Sequence, residues 1–365
     1  YQAGQIITSG NYTTHVGYRA GRYNTGASNT SLGYGALLGV DGSSTGTSNV
    51  AIGYNTLKAA TTGYGNTAVG AETLDAVTEG FYNIGIGPAA GGSITTGDYN
   101  IAIGYAAFDA ATTAGSTIAI GYAALGAYTH GENSFNVAIG TQVAYLKTSG
   151  RFNTYIGGYK VADADLTGEK NVWIGSYANQ YGTDTDSTTL VGYEAGRYAT
   201  GSYNTFIGES AGKGGTTSAP YSSGEQNTAV GYQALAAFTT ANYNAAFGMQ
   251  ALRVATTGNS NTALGTYSLY DLNTGTQNVS VGLSSGENIT DGNNNVLVGY
   301  RAGYTATSPD GSVGIGYRAL YNNTANYSVA IGYDAGFAIT SGTGNVFVGA
   351  FTGDSITTGD SNTAL

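Results

Sequence analysis

The sequence predicts an all-β protein, a parallel β-solenoid of about twenty coils of 17 residues each. Three observations predict it: a glycine that returns along the whole chain, a β-branched alternation ahead of each return, and an asparagine upstream of most of them. The pivot glycine falls at 17, 33, 53, 70, 87, 104, 121, 140, 157, 175, 192, 208, 231, 248, 265, 282, 299, 316, 332 and 349. Most intervals are 17 residues, and only the 20-residue step to Gly53 and the 23-residue step to Gly231 depart by more than two.

The residue before the pivot is apolar in all twenty copies, from Val16 to Val348. Two places earlier stands Thr, Val or Ile in nineteen of the twenty, Ala245 being the exception. A period of two, rich in β-branched residues and bounded by Gly and Asn, predicts a short strand with these two flanking columns on its buried face. The residue between them is often Ala, as at Ala51, Ala102, Ala229 and Ala330, so the other face is predicted to be shallow or closely packed. One coil has too few core side chains to offset the ordering of its backbone, so stacking and association of chains through their Ala-rich faces are expected to help.

Four residues before the pivot lies Asn in fifteen copies: Asn29, Asn49, Asn66, Asn83, Asn100, Asn136, Asn153, Asn171, Asn204, Asn227, Asn244, Asn261, Asn278, Asn295 and Asn345. Coils stacked at strand spacing place these amides about 4.8 Å apart, where each can donate to the next: an asparagine ladder. Seven residues before the pivot Gly recurs in fourteen copies, as a turn residue of positive φ would. The pivot itself is expected to bend the strand or admit a neighbouring backbone. After it, Tyr, a variable residue, a small residue and then Leu or Gly predict a second, weaker strand; Leu37, Leu125, Leu235 and Leu320 can fill the core, with Gly91, Gly196, Gly303 and Gly336 in the same column. The alternative for "YQALAAFTT" is a helix, for which 17 residues and two turns leave little room.

Composition narrows the function. Gly is 60 of 365 residues and Tyr 31, yet no collagen-like triplet period exists. A net charge of −10 with only 12 Lys and Arg supplies no basic patch for nucleic acid. There is no Cys, and no apolar run reaches the roughly 18 residues of a membrane helix, so neither disulfides nor membrane insertion are expected. The repeat fills residues 1–365 as one continuous region, and the start at Tyr1 without Met reads as a fragment of a longer fibre protein.

Apparent motifs dissolve under the repeat. Loose dinucleotide patterns at 85–90 and 314–319 are made of column glycines, and "GESAGKGG" at 208–215 lacks phosphate-loop spacing, leaving Lys213 a solvated loop residue. His15 and His130 are predicted at the surface without partners, and the pairs Asp163 with Asp165 and Asp184 with Asp186 are predicted to be hydrated turn acids. Glycosylation triplets at Asn11, Asn29, Asn278, Asn288, Asn322 and Asn326 match chance in so Asn- and Thr-rich a chain. No catalytic, metal or cofactor residue is assigned, and no enzyme activity is expected. Tyr follows the pivot at Tyr18, Tyr34, Tyr54, Tyr105, Tyr122, Tyr193, Tyr232, Tyr300, Tyr317 and Tyr333. Such a column can pack against another chain or contact glycan rings. The long coil at 212–226 is the expected protruding loop.

The phrase "NTAVGYQAL" at 227–235, the "TTG" spacers at 61–63 and 256–258, and the 17-residue return resemble the repeats of bacteriophage tail-fibre and related fibre proteins. They are more distantly similar to the head repeats of trimeric autotransporter adhesins, whose repeats are shorter. The resemblance covers the chain from about Asn11 onward. It implies a left-handed β-roll assembled as a homotrimer, serving as the rigid shaft of a virion fibre that attaches to a host surface glycan or receptor. A cell-surface adhesin or self-assembling extracellular filament is the alternative. An ice-binding solenoid is a further one, against which stands a Thr array interrupted by Val, Ile and Asn.

Overall fold

The computed structural model describes residues 2–5, 12–131 and 133–365. Asn11, with its glycosylation triplet and the start of the resemblance, lies outside them. The protein is an all-β parallel solenoid with no helix among the described residues, and its twenty-one strands run from Thr14–Val16 to Thr363–Ala364. Nearly all are three residues long. Two compact units divide the chain: one comprises Tyr1–Tyr177 with Thr183–Asp186, the other Ala178–Gly182 with Ser187–Leu365.

Within each unit every strand pairs in parallel with the next in sequence, column on column. Val50 lies opposite Thr67 and Ile52 opposite Val69 in the first unit; Val279 lies opposite Val296 in the second. The pairs are closed by bonds such as Val50 N–H to Asn66 O at 2.8 Å and Gly53 N–H to Leu32 O at 2.8 Å. Successive coils thus satisfy each other's backbone groups.

Each coil has one strand, not two. The segment after the pivot is a chain of turns in which alternate residues take positive φ, as at Ala106 (49°), Phe108 (55°), Gln233 (53°) and Leu235 (50°). Its N–H groups reach neighbouring coils instead of forming an extended ladder: Asn55 N–H donates back to Tyr34 O and Leu57 N–H forward to Thr73 O. This alternation of positive and negative φ also rules out the helix.

The strand faces are reversed from the sequence expectation. The central residue points inward and is fully buried at Ala51, Ala68, Ala102, Ala119, Ala229 and Ala330, while the two flanks stay half-buried or exposed. The inside of a coil is shared between this central residue and the column four residues after the pivot, so Ala fits at the centre where that residue is large. The Ala columns therefore lie inside their own chain and offer no surface to another.

The Leu-or-Gly column complements this inner residue. In most coils with Ala at the strand centre, the fourth residue after the pivot is large: Leu57, Leu74, Phe108, Leu125, Leu235 and Leu252 are all buried, while Ala138 with Ala144 and Ala330 with Gly336 are exceptions. Where the centre is Leu or Phe, that position is Gly; Tyr155 and Trp173 go instead with Val161 and Asn179. A Cβ on Gly212 would fall 2.3 Å from the Phe206 ring, and one on Gly353 would fall 2.6 Å from that of Phe347. Where both are small, a neighbouring coil leans in, and Leu74 fills the space beside Gly85 and Gly91. Most coils thus fill their interior by pairing a large side chain with a small one.

The pivot glycines are required twice over. Gly53 has φ +138°, and a Cβ there would lie 2.2 Å from Gly70 O of the next coil. The upstream glycines differ from expectation, since most lie outside the positive-φ region. Crowding selects them: a Cβ on Gly97 would meet Ala114 O at 2.1 Å and the Asn100 amide at 3.2 Å.

Candidate functional site

The fifteen column asparagines are buried, and each links neighbouring coils. Asn66 is representative. Its backbone N–H and its Nδ2 both donate to Asn49 Oδ1, at 2.9 and 3.1 Å, and Nδ2 also donates to Gly80 O of the following coil at 2.8 Å. A buried amide would be unfavourable without such partners. Where Thr117 interrupts the column, its backbone still donates to Asn100 Oδ1 at 3.1 Å. In the last coil Asn362 donates to Asn345 Oδ1 at 2.9 Å.

Sequence reasoning missed a second, outer ladder two residues upstream. There Asp or Asn side chains accept the backbone N–H of the preceding coil, as Asp98 does from Phe81 at 2.8 Å and Asn293 from Thr276 at 2.9 Å. The recurring Asp and Asn six residues before the pivot was its available signal. Thr78, Thr95 and Thr112 belong to a Thr column whose hydroxyls donate to carbonyls of the next coil, as Thr95 Oγ1 does to Thr112 O at 3.0 Å.

The tyrosines after the pivot point outward and stack in runs. Tyr18, Tyr34 and Tyr54 have successive centroid separations of 5.2 and 5.5 Å; Tyr300, Tyr317 and Tyr333 have 5.1 and 4.7 Å; Tyr105 and Tyr122 form a pair at 5.7 Å. Tyr193 and Tyr232 belong to the same column, separated by Glu209. Stacking covers ring faces inside a run, so solvent meets edges and hydroxyls, and faces are open only where a run ends. Arginines cap several rings, with Arg301 4.8 Å from the Tyr304 centroid and Arg318 5.0 Å from that of Tyr317. A second aromatic column, five residues before the pivot, includes Tyr82 stacked on Tyr99 and Phe135 on Phe152.

The Tyr105 and Tyr122 pair borders a groove of about 190 Å³ with Tyr145, Asp109 and Gln142. Burial and the nearby Asp75 raise the Asp109 pKa above the ordinary carboxylate range.

Between the tyrosine column and the asparagine column lie the two outward flanks of each strand. Neither flank column holds a charged residue in any of the twenty copies. Leu32 is 48% exposed, Ile86 41% and Leu264 49%. Charge gathers in the turns instead, in pairs such as Lys58 with Asp75 at 2.6 Å and Arg318 with Asp334 at 2.5 Å.

Other sequence expectations are corrected. His15 is the half-buried central residue of its strand, bonded to Ser31 Oγ at 2.8 Å, and burial lowers its pKa. His130 is half-buried beside the Tyr128 ring. Asp165 is fully buried, whereas Asp184 and Asp186 stay exposed, as expected, and accept the N–H groups of Thr167 and Glu169. Lys213 pairs with Glu194 at 2.6 Å. The long coil exposes residues 217–220, then returns to stack Tyr221 on Tyr181 at 5.6 Å.

Among the described residues no group of His, Asp and Glu is placed to hold a metal ion, and no helix is long and apolar enough to cross a membrane. No protein-family profile matches the chain, and no curated protein matches it.

Proposed function

We propose that this chain is a shaft segment of a fibre: a non-enzymatic, stiff support, homotrimeric and of the left-handed β-roll type, as in bacteriophage tail fibres. Its place is on a virion, or at a cell surface in the adhesin and filament reading, and its task is attachment to a host.

The observation that carries the reading is the uncharged apolar flank face. Within each unit an uncharged surface with one wholly apolar column, repeated over successive coils, marks an interaction site. Its columns repeat once per coil, so a partner stays in register along it only by having the same coil rise. A second and third copy of this chain meet that condition, and closed cyclic symmetry satisfies every copy equally. The Tyr105 and Tyr122 groove, with a carboxyl and an amide at its rim, is where a glycan ring would find both an open aromatic face and hydrogen-bonding groups.

Sedimentation equilibrium tests this. The chain is expected as a trimer with a strand-dominated circular dichroism spectrum, and Leu264→Glu combined with Ile86→Glu is expected to give monomers of unchanged spectrum. A wild-type monomer across micromolar concentrations would refute the assembly.

A further inference from the structure

Lys147 and Asp165 occupy neighbouring coils in the inner column that elsewhere holds Ala60, Val77 and Ile94, and both are fully buried. Lys147 Nζ lies 2.9 Å from Asp165 Oδ2 and donates to Gly168 O at 2.7 Å. The Tyr155 hydroxyl donates to the same Oδ2 at 2.7 Å, and the Gly168 N–H donates to Oδ1 at 2.9 Å. Tyr155 is also fully buried, its ring centroid 5.7 Å from Nζ and 4.9 Å from that of Trp173. A nucleophile, a carboxyl carbon, donors on both carboxyl oxygens and an aromatic wall thus meet in the buried interior.

We propose that Lys147 and Asp165 condense there, without an enzyme, into an intramolecular isopeptide bond. Burial disfavours the ion pair and favours proton transfer from Nζ to Oδ2, the carboxylate oxygen to which it donates, leaving a neutral amine beside a neutral acid. The Nζ lone pair attacks Cγ, and the Gly168 N–H stabilises the charge that develops on Oδ1, as an oxyanion-hole donor does. Tyr155 gives its proton to Oδ2, the Cγ–Oδ2 bond breaks, and that oxygen leaves as water. The tyrosinate then takes one of the two protons on Nζ, and the other remains as the amide N–H, which keeps the bond to Gly168 O. One amine and one acid become one amide and one water, with no oxidant or cofactor. Desolvation lowers the Lys147 pKa, and desolvation with Asp165 raises that of Tyr155, which favours the neutral amine and the protonated phenol from which the reaction starts.

The product ties one coil covalently to the next, and its existence does not depend on the fibre reading. The test is the mass of the denatured full chain. The wild type is expected to be lighter than its sequence mass by one water, with trypsin failing to cut after Lys147 and a branched peptide containing both residues appearing in the digest. Lys147→Arg is expected at its full sequence mass. Tyr155→Phe is expected to close slowly, the linked fraction rising over days; immediate full closure would remove Tyr155 from the mechanism. A wild-type chain at full sequence mass and cleaved after Lys147 would overturn the proposal, whatever the variants do.

Discussion

The coils from Val50–Ile52 to Ile118–Ile120 and those from Val137–Thr141 to Val172–Ile174 share one winding but fill their interiors differently. The first set is apolar and balanced in volume, with Ala51 against Leu57 and Ala102 against Phe108. The second holds Lys147, Asp165, Tyr155 and Trp173 in the same inner columns, all buried. Two of its three strands are longer, five residues at Val137–Thr141 and six at Thr154–Tyr159, with an irregularity between Ile139 and Thr141. The difference teaches that the frame of backbone and asparagine bonds tolerates varied interiors, provided each interior is filled and each polar group is paired.

Unpairing the polar interior should have the largest effect. Lys147→Met leaves the Asp165 carboxyl buried beside Tyr155, and a loss of about 3 to 5 kcal/mol is expected. Relative to that single variant, Lys147→Met combined with Asp165→Leu should regain the part due to the unpaired carboxyl, and not the part due to the covalent tie. Chemical denaturation of single and double variants measures both.

In the apolar coils the equivalent damage is a void. Leu74→Ala removes the side chain that fills the space beside Gly85 and Gly91, and about 2 to 5 kcal/mol should be lost. Overfilling is the reciprocal test. Gly212→Leu drives a side chain into the Phe206 ring and should lose about 1 to 3 kcal/mol. Combining it with Phe206→Ala recreates the arrangement of Ala229 and Leu235 and should restore stability; an additive double variant would show that volume pairing is not what relates the two columns.

The frame common to both regions can be probed at Asn83, whose amide donates to Asn66 Oδ1 and Gly97 O. Asn83→Ala should lose about 1 to 3 kcal/mol by leaving those partners unsatisfied, and hydrogen exchange should locate the loss in adjacent coils. The smallest effect belongs to the groove carboxyl. Because the folded-state pKa of Asp109 is raised, its contribution to stability is present below the ordinary carboxylate range and lost as pH rises through the raised value. Asp109→Asn should therefore melt slightly higher than wild type at neutral pH, by less than about 1 kcal/mol, and equally in acid.

Legibility varied from column to column. The pivot glycines and column asparagines could be read directly, because a backbone too close for any Cβ and an amide bonded to two coils each leave a single-residue signature at every turn. The second strand could not be read correctly. Ala106 and Phe108, or Gln233 and Leu235, look extended by composition, and their positive φ has no signature in residues other than Gly and Asn. The Lys147 and Asp165 cluster was hidden because its members are separated by ordinary spacings and resemble turn charges elsewhere.

The sequence alone determined the period, the pairing partners and the register, since each depends on which residue types recur and how far apart. Only the tertiary structure decided which phase of the alternation faces inward. Ala and its β-branched neighbours are both apolar, so hydrophobicity does not distinguish them. The backbone path does, turning the strand centre toward the column four residues after the pivot, so that the centre is Ala beside Leu57 and Phe beside Gly212.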